Sequence, residues 1–174
     1  TLKEWIFEIL KEYRPSYCNK GNLNNEIGMP LTLSNMPKNT KFCILELGMN
    51  SPGEIKRLSK IAIPKISIIT NIGTAHSGNF KKLEEIANEK SDIFSFLDKK
   101  SIAIIPGDTR YREKIFKKAL KNTKNIYSFG SEDFNEFKIE EKMQKGFTTF
   151  KILNQRYKIK NNNTFLNWEK NIIL

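Results

Sequence analysis

Glu46 closes the apolar part of K-F-C-I-L-E-L-G-M-N, residues 41–50. Phe42, Cys43, Ile44 and Leu45 form a run without alternation, the pattern of a strand buried on both faces of a parallel sheet. An acid at the carboxyl end of such a strand stands where open α/β sheets bind ligands. It can hold a Mg²⁺ that in turn holds nucleotide phosphates. The plainer alternative is a glutamate that ends its strand and points to water. His76, the sole histidine, lies in T-N-I-G-T-A-H-S-G-N-F behind a second apolar run, Ile66, Ile68, Ile69 and Ile72. Metal ligation or a phosphate contact is open to it there, as is an incidental place in a loop. Lys90 lies four residues after Ile86 and three before Ile93, on the inward stripe of a helical pattern. A lysine there needs a paired or chemically altered head, or it must snorkel past the stripe.

Two further groups are candidates. The loop K-G-N-L-N-N-E-I-G-M-P, residues 20–30, carries Asn22, Asn24 and Asn25. Their amides offer donors and acceptors that can read a polar ligand; Asn also simply shapes turns. Asp108 follows the run S-I-A-I-I and Pro106-Gly107. It is placed to accept hydrogen bonds from a ribose or base, or to cap the next helix.

These residues need a scaffold, and the pattern supplies one. Leu2, Trp5, Ile6, Ile9, Leu10 and Tyr13 recur at helical spacing, so residues 1–13 read as an amphipathic helix stopped by Pro15. Residues 16–18 form a short strand, and Pro30 opens a short helix carrying Leu31, Leu33 and Met36. Ser51-Pro52-Gly53-Glu54 reads as a capping box, starting a helix that turns Ile55, Leu58, Ser59 and Ala62 inward. Residues 81–97 read as a helix, 101–105 as a buried strand, 111–120 as a helix and 126–129 as a strand. Alternation of this kind predicts an α/β fold with a parallel sheet. Then the character changes. Residues 137–142, 147–153 and 156–160 are extended segments separated by turns, an antiparallel meander. A last helix is expected over 168–174.

At 174 residues, with 39% apolar and 11% aromatic residues, the chain can build a core and is not disordered. No apolar run is long enough to span a bilayer as a helix. Cys18 and Cys43 show neither metal-ligand nor disulfide spacing; Cys43 reads as a small buried hydrophobe, and a reducing, cytoplasmic setting is expected. The net charge of +11 attracts polyanions, but the lysines are scattered and Asn, Ile and Lys are plentiful throughout. That looks like a coding bias, and no aromatic-basic recognition motif accompanies it. The chain starts with Thr1 directly in a helical pattern, which suggests a piece of something longer.

Four motifs, G-N-L-N-N-E-I-G-M-P (21–30), I-L-E-L-G-M-N-S-P-G-E-I (44–55), T-N-I-G-T-A-H (70–76) and I-A-N-E-K-S-D-I-F (86–94), occur in this order. Together they resemble the central ATP-binding domain of the Mur ligase family. The likeness is greatest to the members that join D-alanyl-D-alanine to UDP-N-acetylmuramoyl-tripeptide. It implies a P-loop-type α/β fold over residues 1–174, mostly parallel sheet flanked by helices, with the antiparallel meander appended. It implies ATP-dependent amide-bond formation through an acyl phosphate, with ATP and two Mg²⁺, in a cytoplasmic monomer with no nucleic-acid or membrane partner.

The resemblance also assigns roles. Glu46 matches the acid that binds Mg²⁺ beside the β- and γ-phosphates, His76 the histidine of the second Mg²⁺, and Lys90 a lysine carried as a carbamate. These three are expected to converge. Asn24 and Asn25 fall in the loop facing the UDP-sugar peptide, Asn25 being favoured. Asn71 and Asp108 match positions near adenine and ribose. Thr1-Leu2-Lys3-Glu4 resembles the start of the helix that the family's Gly-Lys-Thr runs into, so the piece alone is expected to fold without turning over. Pro106-Gly107-Asp108 stands where Asn-Ala-Asp is common, so the resemblance does not carry over a base contact to position 106. Other readings are a sibling Mur ligase, a folylpolyglutamate-type ligase, a degenerate ligase domain and a non-catalytic basic binding module.

Overall fold

A computed structural model describes residues 2–73, 79–144, 147–152 and 155–160. Its elements run α1 (Leu2–Lys11), β1 (Ser16–Cys18), α2 (Gly28–Ser34), β2 (Phe42–Ile44), α3 (Glu54–Ala62), β3 (Ile66–Ile68), α4 (Leu83–Ser91), β4 (Ile102–Pro106), α5 (Arg112–Leu120) and β5 (Asn125–Gly130). Four more strands follow: β6 (Phe137–Lys138), β7 (Glu140–Gln144), β8 (Phe147–Ile152) and β9 (Gln155–Lys160). The chain divides into two compact units, Thr1–Pro64 with Gly73–Phe96, and Lys65–Ile72 with Leu97–Leu174.

In the first unit β1 and β2 pair in parallel, Ser16 opposite Phe42 and Cys18 opposite Ile44. The expected burial of β2 on both faces does not hold: Phe42 and Cys43 are exposed. A strand with a single hydrogen-bonded neighbour leaves one edge uncovered, and Cys43 is no core residue. Helix α1 also differs from its pattern. Ile9 and Tyr13, placed inward by spacing, are 61% and 71% exposed, whereas Lys3 is 5% exposed. Pro30 sits inside the first turn of α2, where its missing N–H leaves no bond unmade. Helix α3 begins at Glu54, not Pro52, after Gly53 in the left-handed region at φ 87°. Half of the expected box survives: Glu54 Oε2 accepts the N–H groups of Asn50 at 2.5 Å and Ser51 at 3.2 Å. Ile55, Leu58 and Ser59 face inward as the spacing requires. Helix α4 is shorter than the pattern; its continuation, Asp92–Phe94, tightens into a 3-10 turn, a common helix ending. Met49, Ile55, Phe80 and Ile86 form one buried cluster against which Leu47, Leu83 and Ile93 pack.

The second unit holds a fully parallel sheet in the order β3-β4-β5-β6, and an antiparallel sheet in the order β7-β8-β9. Strand β4, with a neighbour on each side, buries Ala103 and Ile105 completely, and α5 turns Ile115 and Ala119 inward. The first meander segment is split. Phe137 and Lys138 pair in parallel with Phe129 and Gly130, and only β7 opens the antiparallel sheet. Parallel neighbours usually need a crossover of about a dozen residues; here residues 131–136 suffice, because carboxylates pin that loop. Glu136 Oε2 accepts the N–H and the hydroxyl of Ser128, each at 2.6 Å. The expected helix at 168–174 and the turn residues 145–146 and 153–154 lie outside the described residues.

Candidate active site

Glu46 stands just beyond β2, and its main chain is held from both directions by Asn19. The Glu46 N–H donates to Asn19 Oδ1 at 2.9 Å, while Asn19 Nδ2 donates to the Glu46 carbonyl at 3.0 Å and to that of Leu23 at 2.9 Å. Asn19 is 0% exposed, so water does not compete for these bonds. Behind it, the Lys3 ammonium donates to the carbonyls of Asn19 at 2.5 Å and Gly21 at 3.5 Å and pairs with Glu4 at 3.0 Å. A buried cation requires such partners.

This network fixes the backbone and leaves the Glu46 side chain exposed. Its Oε1 accepts a hydrogen bond from Asn24 Nδ2 at 3.2 Å. The Gly48 N–H donates to the Asn24 carbonyl at 2.8 Å. A Cβ at Gly48 would lie 2.7 Å from the Asn24 side-chain amide, so an added methyl would displace that amide from its present place.

Asn25, the favoured substrate contact, is engaged locally. Its Oδ1 accepts the N–H groups of Ile27 at 3.1 Å and Gly28 at 2.8 Å, shaping the entry to α2. Arg57 of α3 pairs with Glu26 of the same loop. Lys90 lies half-buried on α4, and burial pushes its pKa below the ordinary lysine value. The neighbouring Glu89 is 5% exposed. Its Oε2 accepts the Gly53 N–H at 2.7 Å and its Oε1 the Ile55 N–H at 2.9 Å. Thus the first unit brings Glu46 and Asn24 into direct contact and carries Lys90 on α4. His76 lies outside the described residues.

The second unit carries the other two assigned residues. Asn71 is exposed beyond β3. Asp108 follows β4 but does not cap α5, which starts at Arg112 with Tyr111 before it. Its Oδ2 accepts the Ser131 N–H at 2.6 Å and hydroxyl at 2.8 Å. Its Oδ1 accepts Asn135 Nδ2 at 2.8 Å and the Glu132 N–H at 3.4 Å. Burial alone would raise the Asp108 pKa, but these bonds outweigh it and hold the carboxyl below its ordinary value. Gly107 and Gly130 permit the close approach: a Cβ would come within 1.6 Å of Asn135 Oδ1 and 2.0 Å of Asp108 Oδ1 respectively. An open depression of about 540 Å³ beside Asp108 is lined by Gly107, Thr109, Arg110, Arg112 and Phe134 among others.

Sequence reasoning missed Asn19, Lys3 and Glu89. The helical spacing of α1 marks no role for Lys3, and no spacing rule points to its partners. Among the described residues no three of His, Cys, Asp and Glu gather into a metal cage. Mg²⁺ does not need one: it retains waters and is typically held by one or two carboxylates together with substrate phosphates. The exposed, hard oxygen donors of Glu46 fit that ion.

Ligands of open α/β sheets bind beyond the carboxyl ends of the strands, where Glu46 stands. The Mur ligase middle domain matches residues 1–166, and the chain belongs to that family. Within it, the chain is 44% identical over 132 residues to the UDP-N-acetylmuramoyl-tripeptide–D-alanyl-D-alanine ligase of Rickettsia prowazekii (strain Madrid E), covering 75% of this chain and 29% of that relative. The enzyme of the same name from Bacillus subtilis (strain 168) is 34% identical over 144 residues, covering 83% of this chain and 30% of the relative. The chain therefore spans under a third of the length of these relatives. Among solved structures, MurF from Acinetobacter baumannii superposes with a TM-score of 0.82 at 28% identity, covering 99% of this chain and 39% of that one. The MurF ligase of Thermotoga maritima, solved in complex with ADP, gives 0.78 at 27% identity, covering 99% and 40%.

Proposed function

We propose that this chain is the ATP-binding core of a ligase that joins D-alanyl-D-alanine to UDP-N-acetylmuramoyl-tripeptide in peptidoglycan precursor synthesis, as a cytoplasmic monomer. A carboxylate oxygen of the tripeptide attacks the γ-phosphorus of ATP, the bond to the ADP oxygen breaks, and an acyl phosphate forms. The amine of D-alanyl-D-alanine then attacks the acyl carbon, phosphate leaves, and the amine proton passes to solvent. The observation that carries this reading is Glu46: an exposed carboxylate on a rigidly clamped backbone, touching the Asn24 loop. Glu46 would hold Mg²⁺, which supplies charge neutralisation between anionic ATP and an anionic carboxylate.

His76 would serve the second Mg²⁺, and Lys90, as a carbamate, would be a further metal ligand. Burial lowers the Lys90 pKa, and the amine in its neutral form has a lone pair that can attack CO₂. A carbamate forms, a proton is released to water, and the cation becomes an anionic oxygen donor. Asn24 and Asn25 act in the loop that receives the UDP-sugar peptide, Asn24 directly and Asn25 by shaping it. Asn71 and Asp108 serve the adenine and ribose, Asp108 by holding one wall of the depression beside it. The test is an amine panel on the complete enzyme. D-alanyl-D-alanine should support ATP hydrolysis and product formation, whereas meso-diaminopimelate, D-glutamate and L-glutamate should not. Preference for any of the latter would reassign the chain to a sibling Mur ligase or a folylpolyglutamate-type ligase.

A further inference from the structure

We propose that Glu89 is a positioning residue, a buried carboxylate that fixes the start of α3, and with it the loop leading back to Glu46, against the helix that carries Lys90. The proposal rests on the reading of Glu46 and Lys90 as metal-binding groups.

The first N–H groups of a helix need acceptors. Gly53, before the first turn of α3, has no side chain to provide one. The acceptor comes instead from α4, 36 residues on in the chain, and both of its oxygens are used. Two bonds from one planar group constrain rotation as well as distance. The carboxylate is nearly removed from water, so these bonds must be made for the fold to tolerate the charge. A local Ser or Asp cap would stabilise α3 about as well. A remote one does something more: it ties two elements together.

The tie reaches Glu46 through a stiff connection. Glu54 holds the N–H groups of Asn50 and Ser51, Met49 is buried in the cluster with Ile55 and Ile86, and Gly48 bonds to Asn24. Between Glu46 and Gly53 little slack is left to absorb a shift. At the other end, Lys90 is the next residue after Glu89 on α4. Replacing Glu89 by Gln keeps the shape but turns an amide NH₂ toward a backbone donor. Replacing it by Asp keeps the charge but shortens the reach.

The test uses the complete enzyme loaded with ¹³C-bicarbonate. In Glu89→Gln, the Mg²⁺ concentration for half-maximal activity should rise about tenfold, and the ¹³C carbamate resonance lost in Lys90→Ala should weaken. Far-UV circular dichroism should stay native at the assay temperature. Glu89→Asp should fall between Glu89→Gln and the parent, and it supplies the same two readouts if Glu89→Gln does not fold. A variant with a lowered denaturation midpoint but parental Mg²⁺ dependence and carbamate signal would overturn the proposal, leaving Glu89 a structural cap. If the parent enzyme itself shows no carbamate resonance and Glu46→Gln still turns over, the underlying reading fails, and this proposal with it.

Discussion

Two acids stand at the carboxyl ends of two parallel strands, and the protein uses them in opposite ways. Beyond β2, Glu46 has its main chain clamped by a buried asparagine while its carboxylate stays at the surface with an Asn24 contact. Beyond β4, Asp108 turns its carboxylate back onto the protein, where backbone, hydroxyl and amide donors of residues 131–135 occupy both oxygens. Equivalent topological positions therefore do not imply equivalent chemistry. An acid whose backbone is held has its side chain available for a ligand. An acid whose side chain is held is a fastener, and its contribution to binding is the loop shape it enforces.

The comparison can be broken at either acid. The largest effect is expected at Glu46. In the complete enzyme Glu46→Gln should lower turnover by about a thousandfold while the denaturation midpoint stays near the parent's; a near-normal rate would return Glu46 to the plain role of ending a strand. Next is Lys90. Lys90→Ala should lose turnover about a hundredfold, with partial recovery in formate, acetate or propionate, which stand in for a carbamate. Turnover indifferent to every such acid would remove the support for modification and leave Glu46 without its assigned companion.

The smallest effect is at Asp108. Asp108→Asn should cost about 1 kcal/mol in chemical denaturation, a figure kept low because the side chain is partly exposed to solvent. The acid dependence comes from its lowered folded pKa. The stabilisation is complete above the ordinary carboxylate range and is lost as pH falls through the lower folded value, because the unfolded chain then binds the proton first. The Asn variant should lack that part of the acid sensitivity. If Asp108→Asn instead abolished nucleotide binding with stability unchanged, the carboxylate would be a ligand contact and the contrast between the acids would disappear.

Much of the scaffold was readable from local pattern. The isoleucine-rich run gave β4, the turn residues gave β8 and β9 but placed the first antiparallel strand too early, and the stripe of α4 singled out Lys90, which is half-buried as that spacing requires. What was not readable depends on partners distant in the chain. Glu89 looks like any solvated helical glutamate until Gly53 is found beside it. The parallel pairing of Phe137 with Phe129 goes with bonds from the loop between to Asp108 and from Ser128 of β5 to Glu136 of that loop. The helical spacing of α1 marks Ile9 and Tyr13 as inward and says nothing of Lys3, because periodicity registers where apolar groups recur and not what they meet. The same gap separates Glu46 from Asp108: both were legible as strand-tip acids, and neither sequence neighbourhood records which part of the residue is restrained.

At residue 48 the protein depends on an atom that is not there. The hydrogen in place of a methyl leaves the opening into which the Asn24 amide fits. Filling it would displace the Asn24 amide and with it the hydrogen bond to Glu46, with no catalytic group altered. A Gly48→Ala enzyme should keep the main-chain bond between residues 48 and 24 but displace the Asn24 amide. If that loop receives the sugar-peptide as proposed, binding of that substrate should weaken while sheet and helices remain sound. Weakened capture of that substrate in equilibrium binding, alongside a parental circular dichroism spectrum, would identify it.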